Sequence, residues 1–138
     1  DNGDGCPSIS WSYLSDELRG PVLEIVHEPA AAYAALFTES SSVIDLSDYA
    51  SGHWVLELRH IEGPNDYRVK LDCVYPCESS HIDLSVQPGT AWQTVKVPMS
   101  AFTATGLDIT KVNTGIVIWA KDHNGTRFRI DNVRFEAD

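Results

Sequence analysis

The stretch Asn113-Thr-Gly-Ile-Val-Ile-Trp-Ala-Lys-Asp-His-Asn-Gly-Thr-Arg-Phe-Arg-Ile-Asp-Asn-Val-Arg-Phe-Glu136 decides the fold. Two β-rich runs flank a short loop carrying Asn124-Gly125, a dipeptide suited to tight hairpin turns, so the segment is expected to form a hairpin. Period-two counting puts Ile116, Ile118 and Ala120 on one face of the first run and Val117, Trp119 and Lys121 on the other. Trp119 is then expected beside a cation on the face turned away from the core. In the second run Phe128 and Ile130 share a parity that Val133 and Phe135 do not, so the apolar register slips at Asp131-Asn132. A slip of one residue marks a β-bulge. A bulge exposes a carboxylate together with backbone carbonyls, which makes Asp131 a candidate cation ligand as well as a turn residue.

Outward from this stretch the same period recurs. Tyr67, Val69 and Leu71 alternate with Arg68, Lys70 and Asp72, and Trp54, Leu56 and Leu58 alternate with Glu57 and Arg59. In Trp92–Pro98, Val95 and Val97 point inward, Thr94 and Lys96 outward, and Pro98 ends the strand. Val22–His27 follows Gly20-Pro21 as a further strand, Ile9–Tyr13 forms a short one, and the alanine-rich segment becomes strand-like around Tyr33–Thr38. Val43–Ala50 and Ser100–Lys111 read as connections with about one helical turn each. Many short strands separated by turn signals, with no long helix, predict an all-β fold: an antiparallel β-sandwich, most simply a jelly roll. At 138 residues the chain is expected to form one domain, with residues 1–5 as a linker or loop remnant.

Twenty acidic residues against ten basic ones give a net charge of −10, a field that repels phosphate backbones and anionic lipid. Nucleic acid and membrane are therefore not expected partners, no apolar run is long enough to span a bilayer, and the domain is expected to be monomeric. Starting at Asp1 without Met or a signal segment, the sequence suggests a processed or excised piece. Cys73-Val-Tyr-Pro-Cys77 can close a small disulfide loop in an oxidising compartment, and Cys6 is left over. The five histidines lack metal-ligand spacing and are expected at the surface.

Arg68, Lys70 and Asp72 with Trp119 are what a sugar-binding face needs, since an indole offers a flat apolar plate to a pyranose while charged groups hydrogen-bond its hydroxyls. Glu57 and Arg59 are further candidates, and Trp11 with Tyr13 forms an alternative platform at the loop ends. Trp54 and Trp92 read as packing residues. Glu24 is the acid expected to join Asp131 in a hard-cation site, where oxygen ligands select calcium. The alternatives are a jelly-roll polysaccharide lyase drawing on Tyr67, Arg68, Lys70 and His123, and a protein-interaction or adhesion module using the same sheet.

Lys70-Leu-Asp-Cys-Val-Tyr-Pro-Cys77, Trp92–Pro98, Leu107-Asp-Ile-Thr-Lys-Val-Asn-Thr-Gly115 and Arg129-Ile-Asp-Asn-Val133 together resemble the ExoP-like galactose-binding-type domains appended to bacterial polysaccharide-degrading enzymes. The likeness runs from about residue 6 to the C-terminus. It implies a secreted or periplasmic, non-catalytic carbohydrate-binding module that binds a polysaccharide or oligosaccharide and is covalently linked to a glycoside hydrolase or lyase. It also implies a structural calcium near Asp131, and a Cys-containing stretch upstream of Cys6.

Overall fold

The structure, a computed structural model, describes residues 9–28, 34–121 and 125–138. Among the described residues nine strands follow in order: β1 (Ile9–Asp16), β2 (Gly20–His27), β3 (Leu36–Ile44), β4 (His53–Glu62), β5 (Tyr67–Lys70), β6 (Ile82–Asp83), β7 (Gln93–Pro98), β8 (Val112–Ala120) and β9 (Arg127–Glu136). They form two antiparallel sheets, β1-β2-β9-β4-β7 and β3-β8-β5-β6. Beyond β2 the chain alternates between the sheets at nearly every connection, which gives the sandwich its jelly-roll character. A five-residue helix, Met99–Thr103, closes one end, with Met99 and Phe102 fully buried. No helix among the described residues is long and apolar enough to cross a membrane.

The inner faces follow the period-two pattern. Trp54, Leu56, Leu58, Phe128 and Ile130 of the first sheet meet Tyr67, Val69, Ile116 and Ile118 of the second in one apolar cluster. The Trp54 indole N–H donates across this core to the Gly115 carbonyl at 2.9 Å, tying the sheets together. The bulge lies where the register slips: Glu57 faces Asp131 and Val55 faces Arg134, so two steps along β4 match three along β9. Asn132 takes up the extra residue at φ 53°, the left-handed conformation that asparagine tolerates better than most residues.

Both strands of the deciding stretch form, but not as a hairpin. β8 lies between β3 and β5 in one sheet, and β9 between β2 and β4 in the other. Alternation specifies which face of a strand is buried, not which neighbour takes its hydrogen bonds. Six residues, 121–126, separate the strands, far from a two-residue turn, and they carry the chain from sheet to sheet. Asp122, His123 and Asn124 lie outside the described residues.

Two histidines also depart from expectation. His27 is fully buried and its Nε2 accepts the Ala120 N–H at 3.1 Å, joining the sheets. His60 is buried with its Nδ1 2.5 Å from the Tyr67 hydroxyl. Each falls on the core parity of its strand, alongside Ile25 in β2 and Leu58 in β4. β3 starts at Leu36 rather than near Tyr33, which lies outside the described residues along with Cys6.

Candidate functional site

A sandwich has two outer faces, and their chemistry differs. On the five-stranded sheet, Glu57 and Arg59 of β4, Glu24 of β2 and Arg127 and Arg129 of β9 all point outward. The turn after β1 folds over them. The Asp16 side chain is fully buried there, accepting from Arg59 and Arg129 at 2.8 Å each and from the Trp92 indole at 3.1 Å. Burial pushes its carboxyl up, but Arg129, Trp92 and Arg59 outweigh burial and hold it well below the usual carboxylate range. Arg19 stacks 4.3 Å above the Trp92 ring and pairs with Glu57, which also takes Arg134 and the Asn132 amide. Arg59 is 8% exposed. This face is closed by its own ion pairs, so Glu57 and Arg59 belong to a locked surface on the sheet opposite Trp119 and do not share a site with it.

The expected cation ligands lie on this locked face. Glu24 takes Arg127 at 2.6 Å and Arg129 at 2.9 Å, and Asp131 lies 3.5 Å from Arg19. A calcium at Glu24 would have to displace two guanidinium groups, whereas only one Asp131 oxygen is approached, by Arg19. Among the described residues no group of three or more His, Cys, Asp or Glu is gathered to hold a metal.

The outer face of the four-stranded sheet brings together the other expected residues. Arg68 lies directly opposite Trp119, and Lys70 opposite Val117. Asp83 of β6 flanks Arg68 from the other side and bonds its Nε at 2.8 Å. Lys70 bonds Glu78 at 2.8 Å and lies 3.3 Å from Asp72. Partial burial pulls the Lys70 ammonium down, but Glu78 and Asp72 outweigh it and hold the group above its ordinary value. The Arg68 hydrogen bond holds Asp83 below its own. Arg68, Lys70 and Glu78 border an open depression of about 500 Å³ with His81, Ser80 and Lys121, and Trp119 forms part of its lining.

Trp119 is on the expected face, yet it is only 6% exposed, with the His81 ring edge-on at 6.3 Å. It is a sealed floor rather than a plate offered to a ligand. Past Glu78 the surface continues into a second depression, of about 200 Å³, bordered by Phe37, Asp72, Tyr75 and Asn113. Tyr75 is 92% exposed and Phe37 43%. Sequence reasoning passed over Tyr75, although an aromatic at the tip of a Cys-x-x-x-Cys loop was a readable signal. The Cys73–Cys77 disulfide is present and closes that loop. Trp11 lies elsewhere. It packs edge-on to Tyr13 at 6.0 Å in a cleft with Leu23 and Leu36 at the rim of the sandwich.

The arrangement offers fixed donors and acceptors in alternation, which suits a hydroxyl-rich ligand. Of the residues a lyase would draw on, Arg68 and Lys70 border the larger depression, but Tyr67 does not reach it. Tyr67 is 1% exposed, burial, with Asp66 adding to it, pushes its hydroxyl far up, and its ring points into the core rather than toward Arg68 and Lys70. His123 lies outside the described residues.

Residues 25–135 match the model of Exop_C, a galactose-binding domain-like family. No curated protein sequence matches the chain. Solved structures share its fold. The family 30 carbohydrate-binding module of a cellulosomal cellulase of Clostridium thermocellum superposes with a TM-score of 0.72 at 18% identity, over 92% of this chain and 83% of that one. The family 11 module of another cellulosomal cellulase of that organism gives 0.71 at 14% identity, over 94% and 82%. An exo-1,3/1,4-β-glucanase from a Pseudoalteromonas species gives 0.71 at 17% identity, over 99% of this chain but 16% of the enzyme. At such identities the likeness is one of fold.

Proposed function

We propose, from the premise that this chain belongs to the Exop_C family of galactose-binding domain-like proteins, that it is a non-catalytic carbohydrate-binding module working through the outer face of its four-stranded sheet. The observation that carries the reading is the pair of ionic bridges, Arg68–Asp83 and Lys70–Glu78, standing beside each other over the Trp119 floor. Each bridge holds a donor and an acceptor in a defined place, so sugar hydroxyls meet partners whose orientation is already set. The opposite face has more charges, but its innermost carboxylates, Asp16, Glu24 and Glu57, already hold its arginines.

The fold occurs as a small part of a larger glucanase, which supports a covalently linked catalytic domain here. Such a module holds its enzyme near the polysaccharide by effective concentration and needs no chemistry of its own. The Cys73–Cys77 bridge supports an oxidising, extracytoplasmic location.

Affinity electrophoresis of the 138-residue chain through gels containing mixed-linkage β-1,3/1,4-glucan, agarose or a polyuronate tests this reading. Retardation by at least one polymer is expected. Unretarded migration in all three, with no binding on a broader glycan array, would contradict it.

A further inference from the structure

We infer that Tyr75, held out from the surface by the Cys73–Cys77 loop, is the plate on which a sugar ring of the ligand stacks. The inference rests on the carbohydrate-binding reading and assigns its aromatic contact, which sequence alone had given to Trp119.

Four observations lead to it. First, Tyr75 is 92% exposed, the largest exposure among the large apolar side chains of the described residues, so its ring does nothing for the packing of the fold. An aromatic ring left in water without a packing role points to recognition.

Second, the loop that carries it is fixed. Cys73 is 2% exposed and belongs to the core, and the disulfide joins Cys77 to it. The Cys73 N–H donates to the Cys77 carbonyl at 3.0 Å, the Cys77 N–H to Val74 at 3.1 Å, and the Val74 N–H to Lys111 at 3.0 Å. A ring carried on a loop tied at both ends loses little freedom when a ligand settles on it.

Third, the ring borders the same surface as the charged bridges. It lines the smaller depression with Asp72 and Glu78; both carboxylates flank Lys70, and Glu78 also borders the larger depression that Lys70 lines. A glycan reaching both depressions meets the ring and the bridges together. Fourth, Trp119 is sealed at 6% exposure and cannot take this part. The ligand class that fits is a pyranoside with an exposed apolar face, held by stacking at Tyr75 and by hydroxyl contacts at Lys70 and Glu78.

The test measures affinity for whichever of the three polymers above retards the wild-type chain. Tyr75→Ala should weaken binding about tenfold or more, as loss of an aromatic hot spot does, with no change in melting temperature. Tyr75→Phe should stay within about threefold of wild type, because the ring and not the hydroxyl makes the contact. Cys73→Ser combined with Cys77→Ser should weaken binding as well; if that variant fails to fold, Tyr75→Ala alone decides. Wild-type affinity in Tyr75→Ala, alongside lost affinity in Arg68→Ala, would overturn this inference and leave the binding reading standing. No binding by the wild-type chain would overturn both.

Discussion

The Asp16 carboxylate of β1 accepts a 2.8 Å hydrogen bond from Arg59 of β4, although β2 and β9 lie between those strands in the sheet. The contact arises because the turn after β1 folds across the outer face and carries Asp16 inward. Asp16 also holds Arg129, so its removal takes the fully buried anion from two arginines and leaves them the more exposed Glu17, with Glu24 on Arg129. Asp16→Ala is therefore expected to lose about 3–5 kcal/mol of stability, the range for breaking a buried ion pair. Urea denaturation checks this, and a loss no larger than the ~1 kcal/mol of a surface pair would contradict it.

The same carboxylate gives the fold an acid limit. Asp16, Glu17, Glu57 and Asp83 are all held below their ordinary values. A depressed carboxyl stabilises the folded state above its unfolded pKa, near 4, and loses that contribution as pH falls toward the folded value. The melting temperature should thus drop as the pH is lowered below about 4. Asp16→Asn should start lower and decline less steeply over that window. Parallel curves for the two proteins would show that Asp16 does not contribute.

Trp119 is expected to act through packing. Trp119→Ala should destabilise the sandwich by about 3–5 kcal/mol, as large-to-small changes at closed sites do. Its effect on sugar affinity should be small at temperatures where the variant is still folded. Calorimetric unfolding combined with titration separates these effects, and a stable variant that no longer binds would return the stacking role to Trp119.

Tyr67→Phe removes the partner of a buried histidine nitrogen while keeping the ring against Phe128. A loss of about 1–3 kcal/mol is expected, the penalty for a buried polar group left unsatisfied. Unchanged stability in chemical denaturation would mean that His60 finds another partner.

Chelation tests the cation site directly. With both Glu24 oxygens already held by arginines, excess chelator should leave the melting temperature where it was. A fall in melting temperature that added calcium restores would instead show a resident ion.

Alternation along β4, β5, β7, β8 and β9 was legible in the sequence because each strand buries one face, and the bulge at Asn132 was legible because it inverts that alternation. The 73–77 disulfide followed from spacing. Pairing was not legible: β8 and β9 face each other across the core, and side-chain parity is the same whether two strands share a sheet or oppose one another. For the same reason Glu57 and Arg59 could not be separated from Arg68 and Lys70. Parity also gives side but not depth. It put Trp119 on the outer face, while the His81 ring packs edge-on to it from a loop that carries no periodic pattern.

The central claim is that the four-stranded sheet carries the glycan site and the five-stranded sheet does not. Isothermal titration of a retarding polymer into wild type, the Arg68→Ala/Lys70→Ala double variant and Lys96→Ala tests it most directly. Lys96 lies on the five-stranded sheet, paired with Glu136 and half-exposed. The account predicts binding lost in the double variant and kept in Lys96→Ala, with both proteins folded. Binding kept in the double variant and lost in Lys96→Ala would contradict it.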